Sequence, residues 1–230
     1  MVHFDQELAA LKDMLLTMAS HAETAVRHAV EALMTRNEAL ARAVKANDDV
    51  IDRFEVEVDE TAIQLLAKAP LASNLRLIAV AMKISQNLER VGDEAAKIAK
   101  RVHDLIQEPP LKQVESIPRL ADLALELLKD GLDTFVNQDS AAARALIPRD
   151  KEIDALNRQI YRELASGMMA DRETITRALN LIVVSKSLER IADHAKNIAE
   201  EVVYLCEAQD IRHTGKTGAA AAVGDDVRSL

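Results

Sequence analysis

Two short stretches of this chain each set a glutamate and an aspartate one helical turn apart: Glu89 with Asp93, and Glu189 with Asp193. Residues four apart on an α-helix lie one above the other, about 6 Å apart at Cβ, so each pair presents two carboxylates on one face. Like charges so placed repel. They become useful together only with something positive or polar between them, such as a metal ion, an arginine, or water at a bundle edge. Asp48 with Asp52 and Asp150 with Asp154 repeat the spacing, and Glu55, Glu57, Asp59 and Glu60 add negative charge beside the first of these. Oxygen-only donor sets suit hard or borderline ions such as Mg, Mn or Fe, and Zn also accepts carboxylates. A carboxylate that bridges two ions would allow a multinuclear site.

The same acids have a plainer explanation. A chain with 38 acidic residues produces such pairs by chance. Asp48 with Asp52 alone reads as the preference of carboxylates for a helix N-terminus. Repetition favours a site at Glu89, Asp93, Glu189 and Asp193. Between the two copies Gln86 has become Lys186 and Glu94 has become His194, while these four acids persist.

The elements that must position them are copies of one another. From Leu88 to Ala99 the chain reads LERVGDEAAKIA, and one hundred residues later, from Leu188 to Ala199, it reads LERIADHAKNIA. Leu77, Ala81, Ile84, Leu88, Val91, Ala95, Ile98, Val102 and Leu105 recur at three and four, the period of one helix face, and Leu181 to Leu205 repeat that seam. Ahead of each copy lies a helix with a similar apolar face: Ile51, Phe54, Val58 and Ala62 in the first, Ile153, Leu156, Ile160 and Leu164 in the second. The periodicity predicts a first helix from Phe4 to about Val44, a second capped at Asn47 or Asp48 and ended by Pro70, and a third capped at Ser73 or Asn74. After Pro109 and Pro110 the order repeats: a fourth from Lys112 or Ile117, a fifth from Ala141 or Pro148 to Ser166, and a sixth from Arg172 to Ala208. The expected fold is all-α: two homologous antiparallel three-helix bundles over 1–108 and 109–212, with a flexible tail over 213–230.

Composition agrees with helices and excludes several function classes. Hydrophobic residues make up 49 % of the 230, yet there is no Trp, with Phe 3, Tyr 2 and Gly 6, too few aromatics and turn glycines for a sheet protein. A net charge of -9 repels phosphate backbones and argues against direct nucleic-acid binding. The lone Cys206 cannot form an internal disulfide. No apolar run reaches the roughly 18 residues of a membrane span, and no apolar export segment stands at the start, where Asp5 and Glu7 fall, so a cytoplasmic chain is expected. P-loop, dinucleotide-glycine and nucleophile-elbow motifs are absent, as is the Glu-x-x-His of ferritin-like di-metal bundles. Arg90 and Arg190 repeat as salt-bridge or partner contacts. His194, beside Asp193, is either a nitrogen ligand in one cluster or a surface histidine.

Through the paired L-E-R-[IV]-[GA]-D-x-A-x-x-I segments at Leu88 to Ile98 and Leu188 to Ile198, and LRLIAVAMKISQNLERVGD from Leu75 to Asp93, the chain from Phe4 to Ala208 resembles the phosphate-specific transport system accessory proteins, the PhoU family. The resemblance implies two three-helix bundles and, as in some members, multinuclear Fe or Zn clusters held through acidic motifs. Those motifs fall here at Glu89, Asp93, Glu189 and Asp193, with Asp48, Asp52, Asp150 and Asp154 opposite them. It further implies a homodimer that represses the phosphate-starvation response and links the cytoplasmic ATPase of a phosphate ABC transporter to a sensor histidine kinase. Three functions compete: such an adaptor, a carboxylate-bridged metal-dependent hydrolase, and a helical scaffold whose acids make only salt bridges. Self-association is expected through apolar residues outside the seam, such as Val30, Val44, Val80 and Val183.

Overall fold

Burial of the two seams sets the architecture. In a computed structural model of the chain, which describes residues 2–111 and 116–212, every seam residue read from the third and sixth helical patterns is buried, from Leu77 to Leu105 and from Leu181 to Leu205. Removing such an aliphatic side chain from water stabilises by about 1.5–3 kcal/mol. The first half contains α1 (Val2–Thr35), α2 (Glu38–Leu66) and α3 (Ala72–Leu105). The second contains α4 (Ser116–Asn137), a short α5 (Ser140–Leu146), α6 (Asp150–Ala170) and α7 (Ile175–Glu207). One 3-10 turn, Ile147–Arg149, joins α5 to α6 at Pro148, and another, Arg172–Thr174, opens the way to α7. With α5 and α6 as one broken helix, the chain forms six long helices in two three-helix bundles.

The duplicated helices α3 and α7 meet at the centre and run antiparallel. Arg76 Nε donates to the Leu205 carbonyl at 3.0 Å, Lys83 Nζ lies 2.9 Å from Glu201, Arg190 Nη1 lies 3.2 Å from Glu94, and Arg177 Nη1 donates to the Pro109 carbonyl at 2.9 Å. This pairing places the acidic turn of α3 beside that of α7. Among the described residues no helix is long and apolar enough to cross a membrane.

The first helix ends earlier than its apolar period suggests. Arg36 takes the left-handed conformation, φ 55°, and Asn37 caps α2 by accepting from the Leu40 N–H at 3.1 Å. The second half turns in the same way. Gln138 has φ 51°, and Asp139 accepts from the Ala142 N–H at 2.9 Å. Neither Asn47 nor Asp48 is therefore a cap. Asn47 braces α2 to α1, its side chain 3.1 Å from His21 Nδ1 and donating to the His21 carbonyl. The third helix also starts differently, with Leu71 at its N-cap position and no side-chain cap, so Ser73 and Asn74 lie within its first turn. Lys112, one expected start of α4, and the tail over 213–230 lie outside the described residues. Two of the valines expected to drive self-association, Val44 and Val80, are buried in the core; Val183 is exposed.

The break at Arg36 is held by its own side chain. Arg36 Nη2 donates to the carbonyls of Leu105, Ile106 and Glu108 at 3.1, 2.9 and 2.6 Å, the orphan acceptors at the C-terminal end of α3. Arg36→Ala should therefore lower unfolding stability by about 1.5–3 kcal/mol in a urea titration. Arg53→Ala, whose guanidinium among the described residues bonds only the Asp49 carbonyl of its own helix, should stay within about 0.5 kcal/mol. Equal losses in both variants would refute the assigned role.

Candidate carboxylate metal sites

In the first half, Asp48 and Asp52 on α2 face Glu89 and Asp93 on α3. Gly92 permits the approach: a Cβ there would stand 2.8 Å from Ile51 Cδ1 and 3.3 Å from Asp48 Oδ1. Burial pushes Asp48 up to about 6, and the negative charges of Asp52, Asp93 and Asp49 add to it, with Lys97 opposing. Burial and the neighbouring acids also raise Glu55 and Glu89. Asp48 lies well inside α2, so the helix N-terminus does not account for its position. Glu55 joins the cluster although its spacing from Asp52 falls outside the repeat.

The second half brings Asp150 and Asp154 on α6 against Glu189 and Asp193 on α7. Burial, then Asp150 and Glu189, push Asp193 up to about 6, with Lys196 opposing and Asp154 adding to the rise. Here lysines stand in the gaps. Lys196 Nζ donates to Asp150 Oδ2 at 2.8 Å, and Lys186 Nζ lies 2.5 Å from Glu189 Oε2 in an alignment that makes no hydrogen bond. Asp150 and Glu189 are 7 % and 8 % exposed; Asp150 Oδ1 is buried without a hydrogen-bond partner, whereas Glu189 Oε2 has the Lys186 ammonium against it. A buried carboxylate oxygen without a donor is costly, and a cation would relieve it. The first half carries Ala96 and Gln86 where the second has Lys196 and Lys186.

All eight acids singled out by their spacing thus meet in two groups of four, one per half. Among the described residues no three His, Cys, Asp or Glu side chains converge closely enough to hold an ion as they stand. The donors suit a hard cation in kind, and Asp52 and Asp93 are exposed while Asp48 and Glu89 are half-buried.

Between the two groups lies a polar cavity of about 490 Å³ at the α3/α7 crossing, lined by Arg90, Asp93 and Lys97 from one helix and Arg190, Asp193 and His194 from the other. Glu94 is its buried anchor. Burial opposes its ionisation, yet hydrogen bonds from Ser187, Lys97 and Arg190 outweigh that and hold it below the usual range. Arg190 is therefore an interhelical partner. His194 Nδ1 lies 3.0 Å from Asn87 Oδ1, a bond that ties it to α3, and burial, with the Arg90 charge, lowers its pKa. Glu94 gave no spacing signal, because its partner Arg190 is brought in from the other half.

The arrangement defines a duplicated six-helix protein with acidic helix pairs in each half and no assembled catalytic constellation among the described residues. A PhoU domain model matches it twice, over residues 15–102 and 117–202, once per half. The chain belongs to the PhoU family. It is 39 % identical over 217 residues to the phosphate-specific transport system accessory protein PhoU homolog of Pseudomonas aeruginosa, covering 93 % of this chain and 89 % of the relative. The homolog from Aquifex aeolicus is 38 % identical over 209 residues, covering 90 % and 95 %. The crystal structure of PhoU from Pseudomonas aeruginosa superposes with a TM-score of 0.86 at 38 % identity, covering 90 % of this chain and 100 % of that one. The phosphate transport system regulatory protein PhoU from Streptococcus pneumoniae gives 0.83 at 29 % identity, covering 90 % and 99 %.

The raised pKa values carry a sign. Asp48 and Asp193 bind protons more tightly folded than unfolded, so their contribution to stability is greatest at low pH and is lost as pH climbs from about 4 to about 6. In chelator-treated protein, Asp48→Asn with Asp193→Asn should raise the urea midpoint at neutral pH and flatten that decline. A lower midpoint at neutral pH would show that the ionised carboxylates stabilise the fold.

Proposed function

We propose that this protein is a negative regulator of phosphate uptake and phosphate-starvation signalling that acts by binding other proteins and turns over no substrate. The observation that carries the reading is the match of both halves to the PhoU domain, together with relatives named for phosphate-specific transport across nearly the whole chain. Its partners are the cytoplasmic ATPase of a phosphate ABC transporter and a phosphate-sensing histidine kinase, which places the chain in the cytoplasm at the membrane face. Long paired helices suit this work, since they present stiff, extended faces to two proteins at once. Exposed Val183 and Leu179 on α7 give a homodimer an apolar contact.

Metal belongs to the same reading. Asp48, Asp52, Glu89 and Asp93 would hold it in the first half, and Asp150, Asp154, Glu189 and Asp193 in the second; the buried, donorless Oδ1 of Asp150 supports this. A bound Fe or Zn cluster, or Mg or Mn, would supply positive charge that turns mutual repulsion into attraction and pins α2 to α3 and α6 to α7. Its role is structural or regulatory.

Deleting the gene and following a phosphate-responsive promoter in abundant phosphate tests the regulatory claim. Reporter output should rise; unchanged output with unchanged phosphate uptake would overturn it and favour a metal-dependent hydrolase. For the metal, elemental analysis of protein purified without chelator should show stoichiometric metal that falls severalfold in Asp93→Asn with Asp193→Asn. Asp210→Asn, outside both clusters, should keep it.

A further inference from the structure

The two halves share a backbone but not a surface. Aligned through their acidic pairs and their repeated LER segments, the second half carries Arg158, Arg162 and Lys186 where the first carries Val56, Glu60 and Gln86. Tyr161 replaces Asp59 and Asn157 replaces Glu55. The helix pairing does not require these cations, because α2 and α3 pack in the same way without them.

Together these residues line an open groove of about 490 Å³ between α6 and α7 in which no lining residue is a carboxylate. In a chain of net charge -9, this is a local reversal of sign. Arg158 and Arg162 are one turn apart on α6 and reach the same space, with Lys186 opposite on α7. Ser185 Oγ donates to Asn157 Oδ1 at 2.5 Å, so the amide oxygen is occupied and its NH2 has no hydrogen-bond partner among the described residues. Arg162 makes no ion pair among the described residues. The other two cations differ: Arg158 lies 3.8 Å from Asp154 and is lightly engaged, while Lys186, half-exposed, has its Nζ 2.5 Å from the buried Glu189. The exposed Arg158–Asp154 pair contributes about 0–1 kcal/mol, so a dianion can draw on Arg158 together with Arg162, and Lys186 can add its charge from beside Glu189.

We propose that the α6–α7 groove binds a phosphate group, held by Arg158, Arg162 and Lys186 with donors from Asn157 and the Tyr161 hydroxyl. Guanidinium forks match the oxygens of a tetrahedral oxyanion two at a time, which a carboxylate-free basic slot leaves available. The volume exceeds that of inorganic phosphate and falls in the range of small-molecule sites, so a phosphate monoester whose body lies on the exposed Tyr161 ring fills it better. The inference stands apart from the regulatory reading: binding is measured on purified protein and regulation in cells, so either can fail alone.

Isothermal titration of the full chain, stripped of metal by chelator, with inorganic phosphate and separately with glycerol phosphate tests it. Saturable binding of one ligand per chain is expected. It should weaken at least tenfold when Arg158→Val, Arg162→Glu and Lys186→Gln install the first half's residues, and stay within twofold in Arg90→Ala, which lies outside the groove. Tighter binding of the ester assigns the groove to a phosphorylated small molecule, and equal or tighter binding of inorganic phosphate assigns it to the free ion. If the triple variant fails to fold, Arg162→Glu alone should still weaken binding severalfold. No saturable binding of either ligand, or binding that survives the groove variants, overturns the proposal.

Discussion

Apolar burial along α3 and α7 forces together carboxylates that would otherwise separate. Each seam buries Leu, Ile, Val and Ala side chains from end to end, and each large one contributes about 1.5–3 kcal/mol. Two half-exposed carboxylates one turn apart repel by only about 1 kcal/mol in a water-like dielectric. The seam wins, and the fold carries acids whose protons are held to about pH 6 at Asp48 and Asp193. The raised acids of both groups follow from that imbalance, and the second half offsets it with Lys196 and Lys186 placed among its acids.

Duplication preserved the framework and released the surface. Both halves leave their first helix through a left-handed non-glycine residue followed by a capping Asn or Asp. Both set an acidic pair on the second long helix against one on the third. The charges around those pairs have diverged: the first half meets solvent with Glu55, Asp59 and Glu60, and the second with Asn157, Tyr161 and Arg162. Divergence at exposed positions such as Glu60 and Arg162 costs little stability, which leaves such positions open to acquire separate binding tasks.

The antiparallel α3/α7 contact converts two bundles into one body. Glu94 lies at that crossing, buried yet ionised through Lys97 and Arg190, and Lys83 bonds Glu201 further along. A buried acid whose Oε1 is bonded from both halves ties their relative position to side-chain geometry, because losing either donor leaves its charge less compensated. Movement of one half against the other would strip Glu94 of a partner.

Local spacing determined much of this protein without any coordinates. The period of three and four marked both seams, the duplication was legible in two matching segments, and the eight acids were found because residues four apart share a helix face whatever the helix packs against. The helix breaks were not legible: Arg36 and Gln138 adopt φ near +50° without a glycine to announce it, and the Arg36 turn is held by carbonyls from residues about seventy positions away. Only the tertiary structure decided which charges meet. The antiparallel register of α3 on α7 brings Arg190 to Glu94 and His194 to Asn87, and the closeness that Gly92 allows between α2 and α3 sets the Asp48 environment. Those contacts join segments that no short-range pattern connects, because their energy comes from burial shared between helices and not from the chain around each residue.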